Sequence, residues 1–402
     1  MAEIRPGAVS RFGRIAALPA MPLLALAAAC GSGRALGDPS PVGLTLLRAG
    51  AEPARDRSPF VWGIQGHPGK QAAYGGAGEE LLRQFDYLDS LQVSHYRMDL
   101  YPDSAGRVDP VLDGALDLAD SRGIAILPVL VARPDQAGSQ ADNYRRGFAI
   151  GYGFAAVYPG RFSHVEAGNE LENLALRYTP DARDPSVLHY LEGSALDHYR
   201  DTALARTTAF LRGMTEGIHQ AAPGTRVIVN ASYRHYAFFE ALDRDGVPFD
   251  VYGYHWYSEM GDFVSDVLPH LPDTTREVWI TEANRRNTAA SYDDPAGQAE
   301  WIARYAREVS ALPRVRALFV YELYEERGFG ETEPEAYYGL VRCEDAGCGG
   351  SRVLKPGFYA YRDAIRRERQ DALRSLWLAV SARMFLLSGG VAQLVEQGTF
   401  NP

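Results

Sequence analysis

From about residue 58 onward, short apolar runs alternate with longer segments whose apolar positions recur at helical spacing. Short apolar runs are typical of buried strands, and apolar residues three and four apart are typical of helices packed on a core. The pattern predicts eight strands, at Phe60–Ile64, Val93–Leu100, Ile124–Leu130, a run that closes at Glu170, Arg226–Asn230, Phe249–His255, Val278–Glu282 and Val315–Tyr321. It predicts helices at Glu79–Leu91, Pro110–Ser121, Asp142–Tyr158, Tyr199–Gln220, Gln298–Leu312 and Gly357–Arg367.

The regular alternation of strand and helix predicts the fold class. Eight strands that alternate with about eight helical segments are typical of an α/β protein whose parallel sheet closes into a (β/α)8 TIM barrel. An open, doubly wound sheet is the alternative. It is disfavoured because no glycine-rich phosphate-binding turn follows the first predicted strand.

The N-terminus has the organisation of an export signal. Arg5, Arg11 and Arg14 precede an apolar run, Ile15–Ala29, which is too short for a comfortable membrane span and ends at Cys30. The five residues that end at Cys30 resemble a bacterial lipobox, which implies that this cysteine is acylated. Ordinary secretory cleavage near the same point is the alternative. Either route predicts an exported protein, held to a bacterial membrane (in the periplasm or at the cell surface) by its lipid alone, or otherwise secreted.

The chain therefore divides into four predicted parts. Residues 1–30 are a lipoprotein-type signal peptide, residues 31–57 a flexible tether without aromatic residues, and residues 58–368 the barrel. Residues 369–402 are a C-terminal extension. Its last residues, Gly390–Pro402, resemble the peptide that results when a reading frame crosses a transfer-RNA gene on the opposite strand. We therefore expect the extension to be a poorly packed, non-native tail.

Charge and composition narrow the choice of ligand. The 402 residues carry a net charge of −10 with acidic and basic residues interspersed, which disfavours nucleic acid because its recognition needs a clustered basic face. Such a surface suits a monomer that handles neutral ligands. Aromatic residues make up 11% of the chain and suit the C–H faces of sugar rings, although an ordinary large core uses them equally well.

Export also permits a disulfide. With Cys30 assigned to the lipid, Cys343 and Cys348 remain, close together in one segment. A disulfide that closes this loop is one alternative, and two free thiols are the other. A zinc site is not expected there, because two thiolates without a nearby histidine supply half of a tetrahedral shell. No metal ion and no other cofactor is expected elsewhere in the chain.

Two glutamates at strand ends carry the candidate chemistry. Glu170 closes the fourth predicted strand and Glu282 closes the seventh. Because the C-terminal ends of barrel strands meet at one mouth, both side chains are expected there. Cleavage of a glycosidic bond needs one protonated carboxyl group, which gives its proton to the leaving oxygen, and one ionised carboxylate. A lone glutamate at a strand end is more often a surface residue or an ion-pair partner.

The residues around this pair strengthen the hypothesis. Arg97 and Asp99 lie two apart on the second strand and so point to one side, where Arg97 can hold Glu282 ionised. Asn169 directly precedes Glu170 and can donate a hydrogen bond to a sugar hydroxyl. Further residues are expected to bind or orient the substrate, and all of them lie on or directly after the first, sixth or eighth strand. They are Trp62, His67, His255, Trp256, Tyr257, Tyr321 and Glu322. Taken singly, each of these residues has an ordinary structural explanation.

The order of these residues along strands two, four, six and seven resembles clan A of the retaining glycoside hydrolases. The cellulase-like family 5 and family 39 are members of the clan that the sequence resembles, and the resemblance covers about residues 60–367. The Gly-Asn-Glu element that ends at Glu170 is weakly specific alone and gains specificity from the other strand-end residues. The resemblance implies that Glu170 is the acid/base and that Glu282 is the nucleophile.

The resemblance also implies the surroundings of the nucleophile, which Tyr257 orients with Arg97 and His255 beside it. Two positions depart from the clan. Many members have proline where Leu171 follows the Asn-Glu pair, and a tryptophan at the end of the eighth strand where this chain has Tyr321. Both departures leave the chemistry intact and leave the sugar open.

The function that follows is an O-glycosyl hydrolase that cleaves an oligo- or polysaccharide by double displacement with retention. Retention predicts that the two carboxyl groups lie about 5–5.5 Å apart, whereas roughly 9 Å would indicate inversion. A transglycosylase shares every residue named above and is one alternative. A non-catalytic, polysaccharide-binding lipoprotein on the same scaffold is the other. The sugar, its linkage and the choice between endo and exo action stay open.

Overall fold

The computed structural model describes residues 60–70, 72–75, 78–180, 188–286, 293–330, 333–345, 348, 350–374 and 377. Its parallel strands close into an eight-stranded barrel with alternating helices, which confirms the predicted (β/α)8 fold. The barrel strands, numbered in chain order, are β1 (Val61–Gly66), β2 (His95–Leu100), β3 (Ala125–Leu130), β4 (His164–Ala167), β5 (Arg226–Ser232), β6 (Val251–His255), β7 (Val278–Ala283) and β8 (Val315–Val320). Each strand pairs with the next, and β8 pairs with β1 to close the barrel.

Each barrel strand is followed by a helix. The helices are α1 (Glu79–Leu91), α2 (Val111–Arg122), α3 (Gln140–Val157), α4 (Asp201–Ala221), α5 (Ala237–Arg244), α6 (Met260–Asp266), α7 (Pro295–Ser310) and α8 (residues 356–374). The sequence pattern did not predict α5 and α6. These helices have 8 and 7 residues, so each repeats its apolar positions for about two turns, which is too short to stand out.

Local signals set several helix ends. Ser139 and Asp142 form a capping box at the start of α3, each side chain accepting a hydrogen bond from the other residue's backbone N–H. Asp294 caps α7 by accepting from the backbone N–H of Gly297. Gly123 ends α2 in the left-handed conformation, which glycine adopts without steric strain.

One layer of the barrel interior is apolar. Its buried members are Leu127, Ile228, Val251, Trp279, Ala317 and Phe319. Gly63 on β1 makes room for the Phe319 ring, since a Cβ at this position would lie 2.2 Å from a ring carbon. This packed layer fills the part of the interior away from the C-terminal ends of the strands. Polar side chains can therefore lie together at the mouth, where those C-terminal ends meet.

The glycines that make α3 look irregular in sequence serve helix packing. A Cβ on Gly147 would lie 2.0 Å from the carbonyl oxygen of Phe210, and one on Gly151 would lie 2.1 Å from that of Met214. Gly213 on α4 makes the reciprocal approach to α3. The two helices are therefore in backbone contact, which larger side chains would prevent.

The long connection after β4 contains two short strands, Tyr178–Pro180 and Leu188–Tyr190, which pair with each other. By its contacts, the segment Thr179–His189, whose described residues lie in these two strands, groups apart from the barrel. The other described residues, from 60 to 178 and from 190 onward, belong to the unit that contains the barrel.

Cys343 and Cys348 form a disulfide, which decides between the two alternatives for these cysteines. Cys343 ends the strand Val341–Cys343, which pairs antiparallel with Arg352–Leu354. The bond therefore closes the loop between two short strands that follow β8.

Several predictions fall on residues that lie outside the described part of the chain. These are the signal peptide with Cys30, the tether, and most of the C-terminal extension, so export, lipid attachment and a non-native tail stay predictions. The final helix passes the predicted end at Arg367 and reaches residue 374. Among the described helices, none combines the length and the apolar character needed to span a bilayer.

Candidate active site

A layer of polar side chains lies at the C-terminal end of the barrel interior. Six strands or strand ends contribute to it, through Gln65, Arg97, Glu166, Asn230, His255 and Glu282. All six residues are buried. Alternation along β2 places Arg97 and Asp99 on the same side as His95, whose ring contacts the interior residues Trp279 and Phe319.

Arg97 lies at the centre of this layer. Its Nε donates to Glu166 Oε2 at 2.6 Å, and its Nη1 donates to Glu282 Oε1 at 2.7 Å. Nη1 also donates to Gln65 Oε1 at 2.6 Å, and Nη2 donates to Asn169 Oδ1 at 3.0 Å. Burial lowers the pKa of the guanidinium, but the charges of the two glutamates raise it above its usual value. Arg97 is therefore a fixed cation that joins β2 to β1, β4 and β7.

An irregularity in β7 places Glu282 in the layer. Trp279 faces the interior, so strict alternation would turn Thr281 inward and Glu282 outward. The pairing of β7 with β6 shifts register just before His255, and His255 then lies opposite Glu282. Such a bulge re-aims a side chain. Tyr257 Oη donates to Glu282 Oε2 at 2.8 Å, so both carboxylate oxygens are held.

Glu170 stands beyond β4, which ends at Ala167. It adopts φ 48° and ψ 44°, a left-handed conformation, at the start of the turn Leu171–Leu174. A non-glycine residue held there costs on the order of 1 kcal/mol or more, so other contacts must impose it. The backbone N–H of Glu170 donates to Asn230 Oδ1 at 2.7 Å, and the Asn230 Nδ2 donates to Glu166 Oε1 at 2.6 Å. Asn230 thus fixes the backbone from which the Glu170 side chain projects.

His255 joins the two candidate catalytic carboxylates. Its Nδ1 lies 2.9 Å from Glu170 Oε1 and 3.4 Å from Glu282 Oε2. A ring nitrogen of His255 and one oxygen of each glutamate all lie within 4.8 Å of one another. The structure therefore brings both glutamates to one end of the barrel, facing each other across the imidazole.

Burial and charge act in opposite directions on these groups. Burial raises the pKa of Glu166, but the charge of Arg97 together with His255 has the larger, opposite effect, and the pKa is lowered to about 2. Burial lowers the pKa of His255, whereas the charge of Glu282 and hydrogen bonds to Glu166 and Glu170 raise it to about 10. Burial raises the pKa of Glu170, but the hydrogen bond and charge of His255 bring it below its usual value. Near neutral pH, His255 is therefore an imidazolium between carboxylates.

Asp99 and three further predicted residues form a second group at the mouth. His67 Nδ1 lies 3.1 Å from Asp99 Oδ2, and His67 Nε2 lies 3.3 Å from Glu322 Oε2. Gln65 Nε2 donates to Asp99 Oδ1 at 3.0 Å, which links this group to the layer around Arg97. The Tyr321 ring makes an edge contact with His67 at 5.7 Å between ring centres.

The structure corrects the prediction for two tryptophans. Trp62 is buried on the outer face of β1, where its Nε1 donates to Glu368 of α8. Trp256 packs against Phe263 of α6 and is likewise turned away from the two candidate glutamates. Both errors have one physical cause. Successive residues of a strand face opposite ways, and the sequence neighbours of these tryptophans face the interior.

Three residues of the polar layer were absent from the sequence prediction, namely Gln65, Glu166 and Asn230. Each is a polar residue inside a run whose neighbours are small or apolar, as in Val165-Glu166-Ala167 and Val229-Asn230-Ala231. A buried strand excludes a carboxylate or amide unless it is hydrogen-bonded. A polar residue in the middle of such a run is the signal that would have found them.

The barrel is similar to several solved glycoside hydrolases. A family 39 glycoside hydrolase from the gut symbiont Bacteroides cellulosilyticus WH2 aligns with a TM-score of 0.54 and 15% identity, over 76% of this chain and 63% of its own. A beta-glucosidase from Thermotoga maritima in complex with deoxynojirimycin aligns with a TM-score of 0.53 and 11% identity, over 78% and 98%. GH5_18 from Streptomyces cattleya in complex with GlcNAc aligns with a TM-score of 0.52 and 15% identity, over 78% and 81%.

The fold resembles that of clan A glycoside hydrolases. At identities of 11–15% the likeness concerns the fold and not the chemistry. No protein-family model matches the sequence, and no curated protein matches it either.

Proposed function

We propose that this protein is a retaining O-glycosyl hydrolase with Glu170 as acid/base and Glu282 as nucleophile. The observation that carries the proposal is the position of both carboxylates beside one nitrogen of His255, at 2.9 and 3.4 Å. An oxygen of one glutamate lies within 4.8 Å of an oxygen of the other. Inverting enzymes place their carboxyl groups roughly 6.5–9.5 Å apart to admit a water molecule, so the short separation supports direct attack on the sugar.

In the first step, Glu282 Oε attacks the anomeric carbon and the bond to the leaving oxygen breaks. Arg97 and Tyr257 hold the two Glu282 oxygens at 2.7 and 2.8 Å, which fixes the direction of attack. Glu170 gives a proton to the leaving oxygen, which departs as an alcohol. In the second step, Glu170 takes a proton from water, the water oxygen bonds to the anomeric carbon, and the ester to Glu282 breaks.

His255 supplies the proton that Glu170 must carry. In the free site the imidazolium donates to Glu170, and the charge of Glu282 is the largest influence that raises the His255 pKa. As Glu282 bonds to the anomeric carbon it loses its charge, so the pKa of His255 falls during the first step. The His255 proton passes to Glu170 across the 2.9 Å hydrogen bond as Glu170 protonates the leaving oxygen, and the proton that Glu170 takes from water in the second step returns to His255 when Glu282 is again a carboxylate.

Two further side chains fit a sugar at this mouth. Asn169 accepts a hydrogen bond from Arg97 through Oδ1, which holds its amide group with the NH2 end available to a sugar hydroxyl. The Tyr321 ring lies near the rings of His67 and Tyr257, at 5.7 and 6.2 Å between ring centres. It offers an apolar face to a sugar ring at the position where many clan members have tryptophan.

Kinetic measurements on a panel of aryl glycosides test the proposal. Glu282→Gln is expected to lower kcat/KM by about 10³-fold on any substrate that the wild type cleaves, and Glu170→Gln by a similar factor on glycosides with a poor leaving group, which need the acid. Azide should restore turnover of an activated glycoside by Glu170→Ala and yield a glycosyl azide of retained configuration. Glu259→Gln, at an exposed carboxylate, is the control and should behave as wild type. Near wild-type kcat/KM in either Glu→Gln variant on a glycoside with a poor leaving group would refute the assignment.

Product analysis separates hydrolysis from the alternatives. Proton NMR of the first product should show the anomeric configuration of the substrate. Released sugar as the main product in the presence of an oligosaccharide acceptor supports a hydrolase, whereas a lengthened acceptor identifies a transglycosylase. Binding of a polysaccharide without turnover of any glycoside would indicate a non-catalytic binding protein.

We further propose that the protein is exported and anchored by a lipid on Cys30. The proposal depends on the basic and apolar pattern that precedes this residue. Mass spectrometry of the mature N-terminal peptide should find a diacylated cysteine, and Cys30→Ala should release the protein from the membrane fraction. An unmodified N-terminus near the same position would instead show ordinary secretion.

A further inference from the structure

Three residues from the two strands that close the barrel form a cluster beside the candidate active site. His67 follows β1, and Glu322 and Glu326 follow β8. One ligand atom from each residue lies within 4.8 Å of the other two. Their exposures are 5%, 0% and 3%, so all three are shielded from solvent. We call these three residues the His67 cluster.

Three of the four carboxylate oxygens in the His67 cluster lack a hydrogen-bond donor among the described residues. Glu326 Oε1, Glu326 Oε2 and Glu322 Oε1 are buried, and no donor among the described residues hydrogen-bonds any of them. Glu322 Oε2 does have a partner, since Tyr74 Oη donates a hydrogen bond to it at 2.9 Å. A buried polar atom without a partner costs about 1–3 kcal/mol, and a charged one costs more. Three such oxygens beside one histidine indicate a ligand that carries positive charge.

The histidine is oriented as metal-binding histidines are. His67 Nδ1 faces the Asp99 carboxylate at 3.1 Å, and Asp99 is itself held by Gln65. The other ring nitrogen, Nε2, is directed at Glu322. In metal sites a carboxylate commonly holds the ring N–H of a ligating histidine, and so leaves the second nitrogen free to bind the metal.

We propose that His67 Nε2 and one oxygen each of Glu322 and Glu326 bind a divalent transition-metal ion. One imidazole and two carboxylates form a mixed nitrogen and oxygen ligand set. This set suits ions such as Mn²⁺ or Zn²⁺ better than it suits Ca²⁺ or Mg²⁺, which prefer oxygen ligands alone. Three protein ligands leave coordination positions open for water. The site goes beyond the proposed hydrolase function and does not depend on it.

Calorimetric titration of the purified full chain, dialysed against EDTA, with Mn²⁺ or Zn²⁺ tests the proposal without any activity assay. The wild type is expected to bind one equivalent of at least one of the two ions. Glu326→Gln and His67→Gln should each abolish this binding. Asp99→Asn should weaken it by about 10–100-fold, as loss of a carboxylate behind a ligating histidine does. Glu333→Gln, a carboxylate nearby in sequence but outside the cluster, should bind as the wild type does.

Glu282→Gln serves as a second control, because Glu170, His255 and Glu282 are the other group of close ligand atoms at this mouth. Binding should persist in this variant. Circular dichroism and melting temperatures should confirm that every variant is folded. Two results would overturn the proposal: no binding of either ion by the folded wild type, or binding that survives Glu326→Gln and His67→Gln while Glu282→Gln removes it.

Discussion

The barrel mouth holds two groups of buried carboxylates that differ in how their charge is balanced. In the first, which we call the Arg97 cluster, Arg97 donates to Glu166 and Glu282 at 2.6 and 2.7 Å. In the His67 cluster, Glu322 and Glu326 face one imidazole that Asp99 already holds. A guanidinium offers five donors in a rigid plane and can satisfy several carboxylates together, whereas an imidazole offers two at most. The first cluster is therefore complete within the described protein, whereas the second leaves three buried carboxylate oxygens without a donor among the described residues.

The largest effect is expected when the cation of the Arg97 cluster is removed. Arg97→Met keeps the length of the side chain but removes the guanidinium that binds Glu166, which stays buried with His255 Nε2, 3.7 Å from Oε1, as its remaining cationic neighbour. Loss of one partner from a buried ion pair typically costs about 3–5 kcal/mol, and we expect a loss of unfolding free energy in that range. Urea denaturation followed by circular dichroism measures it.

The double variant Arg97→Met/Glu166→Gln is the matched control for that prediction. It removes the Glu166 charge together with the Arg97 cation, so it should recover part of the stability that Arg97→Met loses. Equal stability of the single and the double variant would show that the Glu166 charge is not what Arg97 neutralises.

Acid should break the same cluster in the wild type. The pKa of Glu166 in the folded chain is about 2, lowered from 4.5 against the opposing effect of burial by the charge of Arg97. A lowered pKa contributes stability that is present above pH 4.5 and is lost as the pH falls towards 2. The urea concentration at the unfolding midpoint should therefore decrease as the pH is lowered from 4.5 to about 2. In Glu166→Gln this decrease should be smaller, because the variant lacks the titrating group. Parallel pH profiles for the two proteins would contradict the prediction.

Much of the fold could be predicted because buried strands and long amphipathic helices leave regular patterns. The helix predicted at Glu79–Leu91 has the same bounds in the structure. The eight predicted strands all occur, most with ends displaced by one to three residues. The short helices α5 and α6 were not predicted, because an apolar repeat of two turns cannot be told from the sequence of a loop.

The candidate site could be predicted in part for a geometric reason. Residues at the C-terminal ends of parallel strands must meet, and Arg97, His255 and Glu282 do so. The bulge in β7 that turns Glu282 inward leaves no mark in a pattern of apolar residues. His67 and Glu322 were predicted at the mouth, but Glu326 and the grouping of the three were not, because the residues follow the first and last strands. Closure of the barrel by the pairing of β1 with β8 brings them together.

Removal of a single hydroxyl tests how the residues around Arg97 orient Glu282. Tyr257→Phe removes the hydrogen bond to Glu282 Oε2 while Arg97 still holds Oε1. A hydrogen bond to a charged group contributes about 1.5–3 kcal/mol, so kcat/KM on an aryl glycoside should fall by about 10–100-fold with little change in melting temperature. Tyr321→Phe is the control, since it removes a neighbouring hydroxyl and leaves both contacts to Glu282. Equal losses in the two variants would argue against a specific role for Tyr257.

The smallest effect is expected in the His67 cluster without metal. Glu326→Gln removes a carboxylate that no described protein donor hydrogen-bonds, so in EDTA the unfolding free energy should change by less than about 1 kcal/mol or rise slightly. This outcome contrasts with Glu166→Gln, where Arg97 loses a partner and stability falls. With Mn²⁺ present at about 100 times its dissociation constant, the wild type should gain about 2.7 kcal/mol and Glu326→Gln should gain nothing. A loss above roughly 1.5 kcal/mol in EDTA would show that Glu326 already has a partner in the folded chain. The two clusters would then differ in composition but not in completeness.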